Sequence, residues 1–257
     1  MPPRLVELPT IDFVGLPIIS ARLPTIVSLL AARPAYDRFS YIITPNADHF
    51  VRLQRDRARL ITLYQSAGCL LLDSRVVAGL GRLLNLETPT VVTGSDLTLE
   101  LFEQVIGRNE AVTVVGTTVA AVDALKSRFQ LTRVAHHCPA FGFERSERLI
   151  DECAEFVEAH PARFVFLACG APRQEILAHR ILARQVATGI GLCIGAAIDQ
   201  IGGYEKRAPR FIRANGLEWA WRIVKEPKRL GLRYLDDLKI IKLLVVEKRK
   251  YGVWFKS

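Results

Sequence analysis

The sequence predicts an α/β protein: a Rossmann-like, mainly parallel sheet with helices on both faces, followed by a basic helical C-terminal appendage. Three observations predict it. Short apolar runs end in polar or glycine-bearing turns and lead into helix-type segments, the alternation that βαβ units require. Half of the 257 residues are hydrophobic, enough for a sizeable core in one large α/β domain. The formal net charge of +9 is confined to the end of the chain: residues 1–203 hold 20 basic and 20 acidic side chains, and 204–257 hold 15 and 6.

In chain order, "SYIITPN" (40–46) reads as a strand leading into a helix over "ADHFVRLQRDRARL". "CLLLDS" (69–74) leads into "RVVAGLGRLL", and "AVTVVGT" (111–117) into "TVAAVDALKSRFQ". "RFVFLACG" (163–170) precedes "APRQEILAHRILARQ", and "GIGLCIG" (189–195) is a fifth strand. Ligands of such sheets sit beyond the carboxyl ends of the strands. The residues to watch are therefore Thr44 and Asn46, Asp73, Gly116 and Thr117, Gly170 to Gln174, and Asp199. Composition shifts near Gly202 and Gly203, which divides a body (1–203) from an appendage (204–257) whose helices break at Gly216, Pro227 and Gly231.

Several classes drop out. The five cysteines are odd in number, widely spaced and without a CxxC pair, which fits reduced thiols and gives no chelating pattern. "MPPRLVELPTIDFVG" holds no apolar run long enough for a signal peptide, and no stretch of about 18–20 uncharged apolar residues spans a bilayer. The glycines of "GIGLCIGAAIDQIGG" follow G-x-G-x-x-x-G inside a strand, not the dinucleotide fingerprint, so NAD binding is rejected. There is no nucleophile elbow, P-loop or HExxH.

Each remaining candidate has two readings. Asp73 is a general base at a strand end or a cap for the next helix. Thr44 and Asn46 cap a helix or contact a polar ligand. "ACGAPRQE" (168–175) is an ordinary βα turn, or a helix start whose N–H groups meet a diphosphate with Arg173 and Gln174 adding donors; Pro172 suits its first turn. Asp199 accepts from ribose hydroxyls or is a helix N-terminal carboxylate. His49 reads as a helix-surface residue, and His136 and His137 end a strand without a metal-ligand pattern.

Taken in order, "TPNADHFVRLQRD" (44–56), "LLLDS" (70–74), "VVTGSDL" (91–97), "LACGAPRQEI" (167–176), "IGAAIDQIGG" (194–203) and "KRAPRFIRANGLEWAWRIVKEPKRLGLRYL" (206–235) resemble the bacterial WecG/TagA/CpsF glycosyltransferases, glycosyltransferase family 26. The resemblance implies inverting, β-forming transfer of a hexose or N-acetylhexosamine from a UDP-sugar to a sugar on undecaprenyl diphosphate. It implies cell-surface polysaccharide synthesis and no metal or other cofactor. It places Asp73 as the catalytic base, Thr44, Asn46 and Gln174 in the pocket, and Asp199 near the nucleotide. Two positions depart from the family pattern. Asp73 is followed by Ser74 where many members have Gly, and Thr90-Val91-Val92 stands where many have Glu-Arg-Val. A pocket arginine is thus missing at Val91, and Arg75 or Arg82 is the nearest substitute in sequence.

In the appendage, Arg222, Lys225 and Arg229 recur at helical spacing beside Trp219 and Ile223. A basic helix with interfacial aromatics suits an anionic membrane surface. The resemblance adds a lid role, with Arg213, Arg222 and Arg229 contacting a diphosphate. The tail "KIIKLLVVEKRKYGVWFKS" reads as a second amphipathic anchor, and its apolar residues are compatible with a homo-oligomer. The expected location is cytoplasmic, peripheral to the inner face of the plasma membrane, with no nucleic-acid partner. The competing readings are a nucleic-acid binder using the basic tail and a non-catalytic sugar-nucleotide sensor.

Overall fold

Consecutive strand residues point to opposite faces of a sheet, and here that alternation divides the apolar core in two. The computed structural model describes residues 7–203, Trp221 and 236–252. It opens with an antiparallel hairpin of β1 (Thr10–Phe13) and β2 (Leu16–Ile19). Six further strands form one sheet: β3 (Ser40–Ile43), β4 (Cys69–Leu70), β5 (Val112–Gly116), β6 (Val134–His137), β7 (Phe164–Ala168) and β8 (Ile190–Cys193). Their order is β4-β3-β8-β7-β5-β6, and every neighbouring pair is parallel. β5 and β7 read as almost unbroken apolar runs because both of their faces are covered.

The helices are α1 (Leu23–Ala31), α2 (Ala47–Arg55), α3 (Arg57–Gln65), α4 (Arg75–Leu83), α5 (Gly94–Gln104), α6 (Val119–Phe129), α7 (Glu147–Ala159), α8 (Arg173–Arg184), α9 (Ala197–Ile201) and α10 (Lys239–Gly252). Tyr41, Ile43, Val115, Val165 and Leu167 face one layer, which takes its helical partners from α2, α3, α4, α7, α8 and α10. Ile42, Val112, Val114, Phe164 and Phe166 face the other, with α1, α5, α6 and α9. The helix after β3 therefore leaves on one face and the helix after the adjacent β8 on the other. That divergence opens a crevice at the carboxyl ends of the two strands, the place where open α/β sheets take ligands.

The predicted parallel sheet with helices on both faces is what the chain forms, and details differ. The helix expected over 47–60 is two helices, broken at Asp56, whose φ and ψ of −132° and 51° are non-helical. The second predicted strand is short: only Cys69–Leu70 pair with β3, and the chain beyond forms a single parallel bridge, Leu72 to Val91. Pro172 is the N-cap of α8 rather than a residue of its first turn, after a cis Ala171–Pro172 bond. The glycines read as lying inside a strand bracket β8 instead, with only Gly191 within it. Gly189 has φ +86°, and a Cβ there would lie 2.0 Å from the Ala162 carbonyl oxygen. Close packing of backbone on backbone accounts for that glycine without a dinucleotide.

The tail helix α10 packs on the body. Ile240 and Leu244 are 3% and 0% exposed and belong to the core layer against α2 and α4. Arg55 of α2 lies 3.8 Å from Asp236, just before α10. The apolar face assigned from sequence to an anchor is thus partly spent on protein. Leu238, Ile241 and Val246 remain exposed, with Lys242 and Arg249 on the same outward side. Among the described residues, no helix is long and apolar enough to cross a membrane.

Candidate active site

The crevice is built from four loops, each following a strand end. After β3, Thr44 is buried and donates its hydroxyl to the Cys193 carbonyl at 3.2 Å, crossing to the end of β8. Asn46 is the N-cap of α2, with its backbone N–H 3.3 Å and its Oδ1 2.8 Å from His49 Nδ1. The Pro45 carbonyl between them accepts the Asp73 N–H at 2.8 Å. The loop after β3 is therefore stitched to both neighbouring strands.

Asp73 stands at the end of the β4 segment, partly exposed. It does not cap the following helix. Ser74 is the N-cap of α4, its hydroxyl accepting the Val77 N–H at 3.1 Å, so one of that helix's open donors is met without Asp73. The Asp73 carboxylate turns instead toward α5 and accepts the Gly94 N–H at 3.3 Å. Gly94 is the point where the elements converge. A Cβ placed there would be 2.9 Å from Thr44 Oγ1, 3.6 Å from Asp73 Oδ2 and 3.7 Å from the Ile194 Cα. Thr44 Oγ1 is tied to Cys193 and has little room to give. Gly94→Ala is accordingly expected to destabilise the fold by about 1–3 kcal/mol through overpacking and to impair any activity that uses Asp73. Thermal unfolding compared with turnover checks it.

The loop after β7 brings in Gln174. Its amide is buried, with Oε1 accepting the Gly195 N–H at 2.9 Å and Nε2 donating to Glu175 Oε1 at 2.8 Å. Glu175 is fully buried and lies 3.4 Å from His49 Nε2. The carboxylate held at the start of α8 is thus the protein's own, and Gln174 works as a buried link between loops more than as a free donor. His49, read as a surface residue, is 6% exposed and faces this carboxylate. Its place three residues after the N-cap is the signal that locates it, because that position reaches back to the cap.

The far end of the crevice is polar. Thr117, with φ +53°, donates to Asp199 Oδ1, joining the end of β5 to α9 across β7. Ser95 donates to Gln200 at 2.9 Å, joining α5 to the same short helix. His136 Nε2 lies 2.9 Å from the Gly116 carbonyl oxygen, which occupies one of its ring nitrogens within the sheet edge. Burial pushes the Cys169 thiol up to about 12 and the Cys193 thiol well above its ordinary value, so both stay protonated at neutral pH and offer no nucleophile.

Of the two arginines read from sequence as substitutes at Val91, Arg82 sits in the last turn of α4, about 10 Å along the helix from Arg75. Arg75 is in the first turn beside Asp73, with its guanidinium 3.4 Å from Asp96 on α5. Arg75 is the cation that joins the two loops around Asp73. Thr44, Asn46, Asp73 and Gln174 are therefore gathered around the β3–β8 crevice, and Asp199 lies at its other end. Arg213, Arg222 and Arg229 lie outside the described residues. Among the described residues, no group of three or more His, Cys, Asp or Glu side chains is placed to hold a metal ion.

The family model described as the glycosyl transferase WecG/TagA/CpsF family matches residues 11–252. The chain belongs to that family. All four crevice loops and α10 fall within the match. A similar protein is the N-acetylglucosaminyldiphosphoundecaprenol N-acetyl-β-D-mannosaminyltransferase of Bacillus spizizenii (strain ATCC 23059 / NRRL B-14472 / W23). It is 26% identical over 198 residues, covering 74% of this chain and 73% of its own length. In this member of the WecG/TagA/CpsF family, an aspartate stands at the strand end and a serine caps the helix after it.

Proposed function

We propose that this protein is an inverting glycosyltransferase that moves a hexose or N-acetylhexosamine from a UDP-sugar to a sugar carried on a polyprenyl diphosphate, in cell-surface polysaccharide synthesis. The supporting observation is the Asp73 carboxylate, left out of the α4 cap by Ser74 and bonded to the Gly94 N–H where the ends of β3, β4 and β8 meet the start of α5. The name of the Bacillus relative, which acts on a diphosphoundecaprenol-linked sugar, supports the acceptor class.

In this reading Asp73 takes the proton of the acceptor hydroxyl as its oxygen attacks the anomeric carbon. The bond from that carbon to the diphosphate oxygen breaks, UDP leaves with the electron pair, and the single displacement inverts the centre to a β-linkage. Thr44, Asn46 and Gln174 shape the pocket around the reacting atoms, and Asp199 faces the nucleotide. Arg213, Arg222 and Arg229 are assigned to a diphosphate, and no metal or other cofactor is required. The protein works at the inner face of the plasma membrane, held peripherally by its basic C-terminal part.

The test is incubation with a panel of UDP-sugars and a short-chain N-acetylglucosaminyl diphospho-lipid, together with thermal shift by UDP. Transfer from at least one donor and stabilisation by UDP are expected. Stabilisation by UDP without transfer would make the protein a sensor. No response to UDP, with a salt-steep shift of DNA or RNA, would replace the reading with nucleic-acid binding.

A further inference from the structure

Glu175 is a costly residue to keep. It is fully buried, one oxygen accepts from Gln174 and lies 3.4 Å from His49 Nε2, and the other has no hydrogen-bond partner among the described residues. His49 Nε2 also lacks a bond of good geometry. Tyr41, Tyr64, Cys169 and Cys193 also feel the Glu175 charge, and burial above all holds each of them in its neutral form. A buried, incompletely satisfied carboxylate beside a buried imidazole weakens a fold relative to apolar residues of similar size. The contacts at its two ends give a reason for retaining it. On one side, Gln174 carries the link to the Gly195 N–H at 2.9 Å, after β8. On the other, His49 carries it to Asn46, whose neighbour Pro45 holds the Asp73 N–H at 2.8 Å. A line of polar contacts, Gly195–Gln174–Glu175–His49–Asn46, thus runs between the two walls of the crevice, hydrogen-bonded at its ends and joined in the middle by the 3.4 Å approach of Glu175 to His49.

We propose that Glu175 and His49 are positioning residues for glycosyl transfer, a buried polar strut that sets the loops carrying Asn46 and Gly195 on either side of Asp73. This rests on the glycosyltransferase reading of the crevice. Neither side chain touches substrate. They act through Asn46 and Gln174, so their loss reaches the rate of the bound complex before it reaches donor binding.

The test uses the full chain with Glu175→Gln and the apolar double variant His49→Leu/Glu175→Leu. For both, kcat is expected to fall tenfold or more, while KM for the UDP-sugar changes less than threefold. The melting temperature of the double variant is expected to hold or rise, because the buried pair is replaced by packing atoms. Amide exchange over 44–46 and 194–196 is expected to quicken in both. A double variant with wild-type kcat overturns the proposal, as does a loss of kcat that follows a loss of melting temperature. If the wild type transfers no sugar, the functional reading fails, and exchange still decides the strut: unchanged protection at both loops in both variants overturns it.

Discussion

Asp73→Asn is expected to lower the rate of sugar transfer about 10²–10⁴-fold, the usual contribution of a positioned general base, or about 3–5 kcal/mol of barrier. The substitution keeps the shape of the side chain. The Asp73 carboxylate accepts the Gly94 N–H at 3.3 Å, and an asparagine oxygen in the same place still accepts it, as a weaker, uncharged acceptor. Ser74, not Asp73, caps α4, so the helix keeps its N-terminus. The melting temperature and the affinity for UDP are therefore expected to stay near wild type while kcat collapses. Near-normal turnover would reassign the base. A fall in stability matching the fall in rate would mean that the carboxylate is a structural partner of α5.

Which parts of this arrangement were legible in the chain depends on how local the deciding force is. The strands over 40–43, 112–116, 164–168 and 190–193 were readable, because a strand covered on both faces must be continuously apolar. The carboxyl-end residues followed from them, since parallel strands put those turns on one edge. The break of one helix into α2 and α3 was not readable. Asp56 leaves helical geometry there although neither Gly nor Pro marks the place. His49 and Glu175 were hidden for a different reason. Both are polar residues at the starts of amphipathic helices, where sequence reads solvent, and only the meeting of α2 with α8 buries them against each other. The capping alternative for Asp73 was fair from spacing alone. It is settled by a neighbour, because a serine in extended geometry one residue later takes the cap.

The two faces of α10 are expected to separate stability from membrane attachment. Leu244 is fully buried against the body. Leu244→Asp places a charge in that layer and removes the packed side chain, and is expected to cost about 3 kcal/mol or more, read as a lowered melting temperature. Ile241 and Val246 are 44% and 42% exposed at the two edges of the outward face, with Lys242 and Arg249 between them. An outward face that alternates aliphatic and basic residues suits the interface of an anionic bilayer, where each well-placed cation contributes about 1 kcal/mol and apolar side chains add their burial. Ile241→Asp/Val246→Asp removes two apolar contacts and sets two carboxylates against a negative surface. Flotation with phosphatidylglycerol-containing vesicles is expected to weaken at least tenfold, with the melting temperature unchanged, and added salt is expected to weaken the wild type as well. The chemistry links the two faces: α10 packs on α2, which starts immediately after Asn46, and on α4, whose N-cap Ser74 follows Asp73. A helix that lies on lipid with one side and grips those two helices with the other would bring the crevice to a membrane-borne acceptor. Undiminished flotation of the double variant would leave α10 as packing alone and move the anchor elsewhere in the basic C-terminal part.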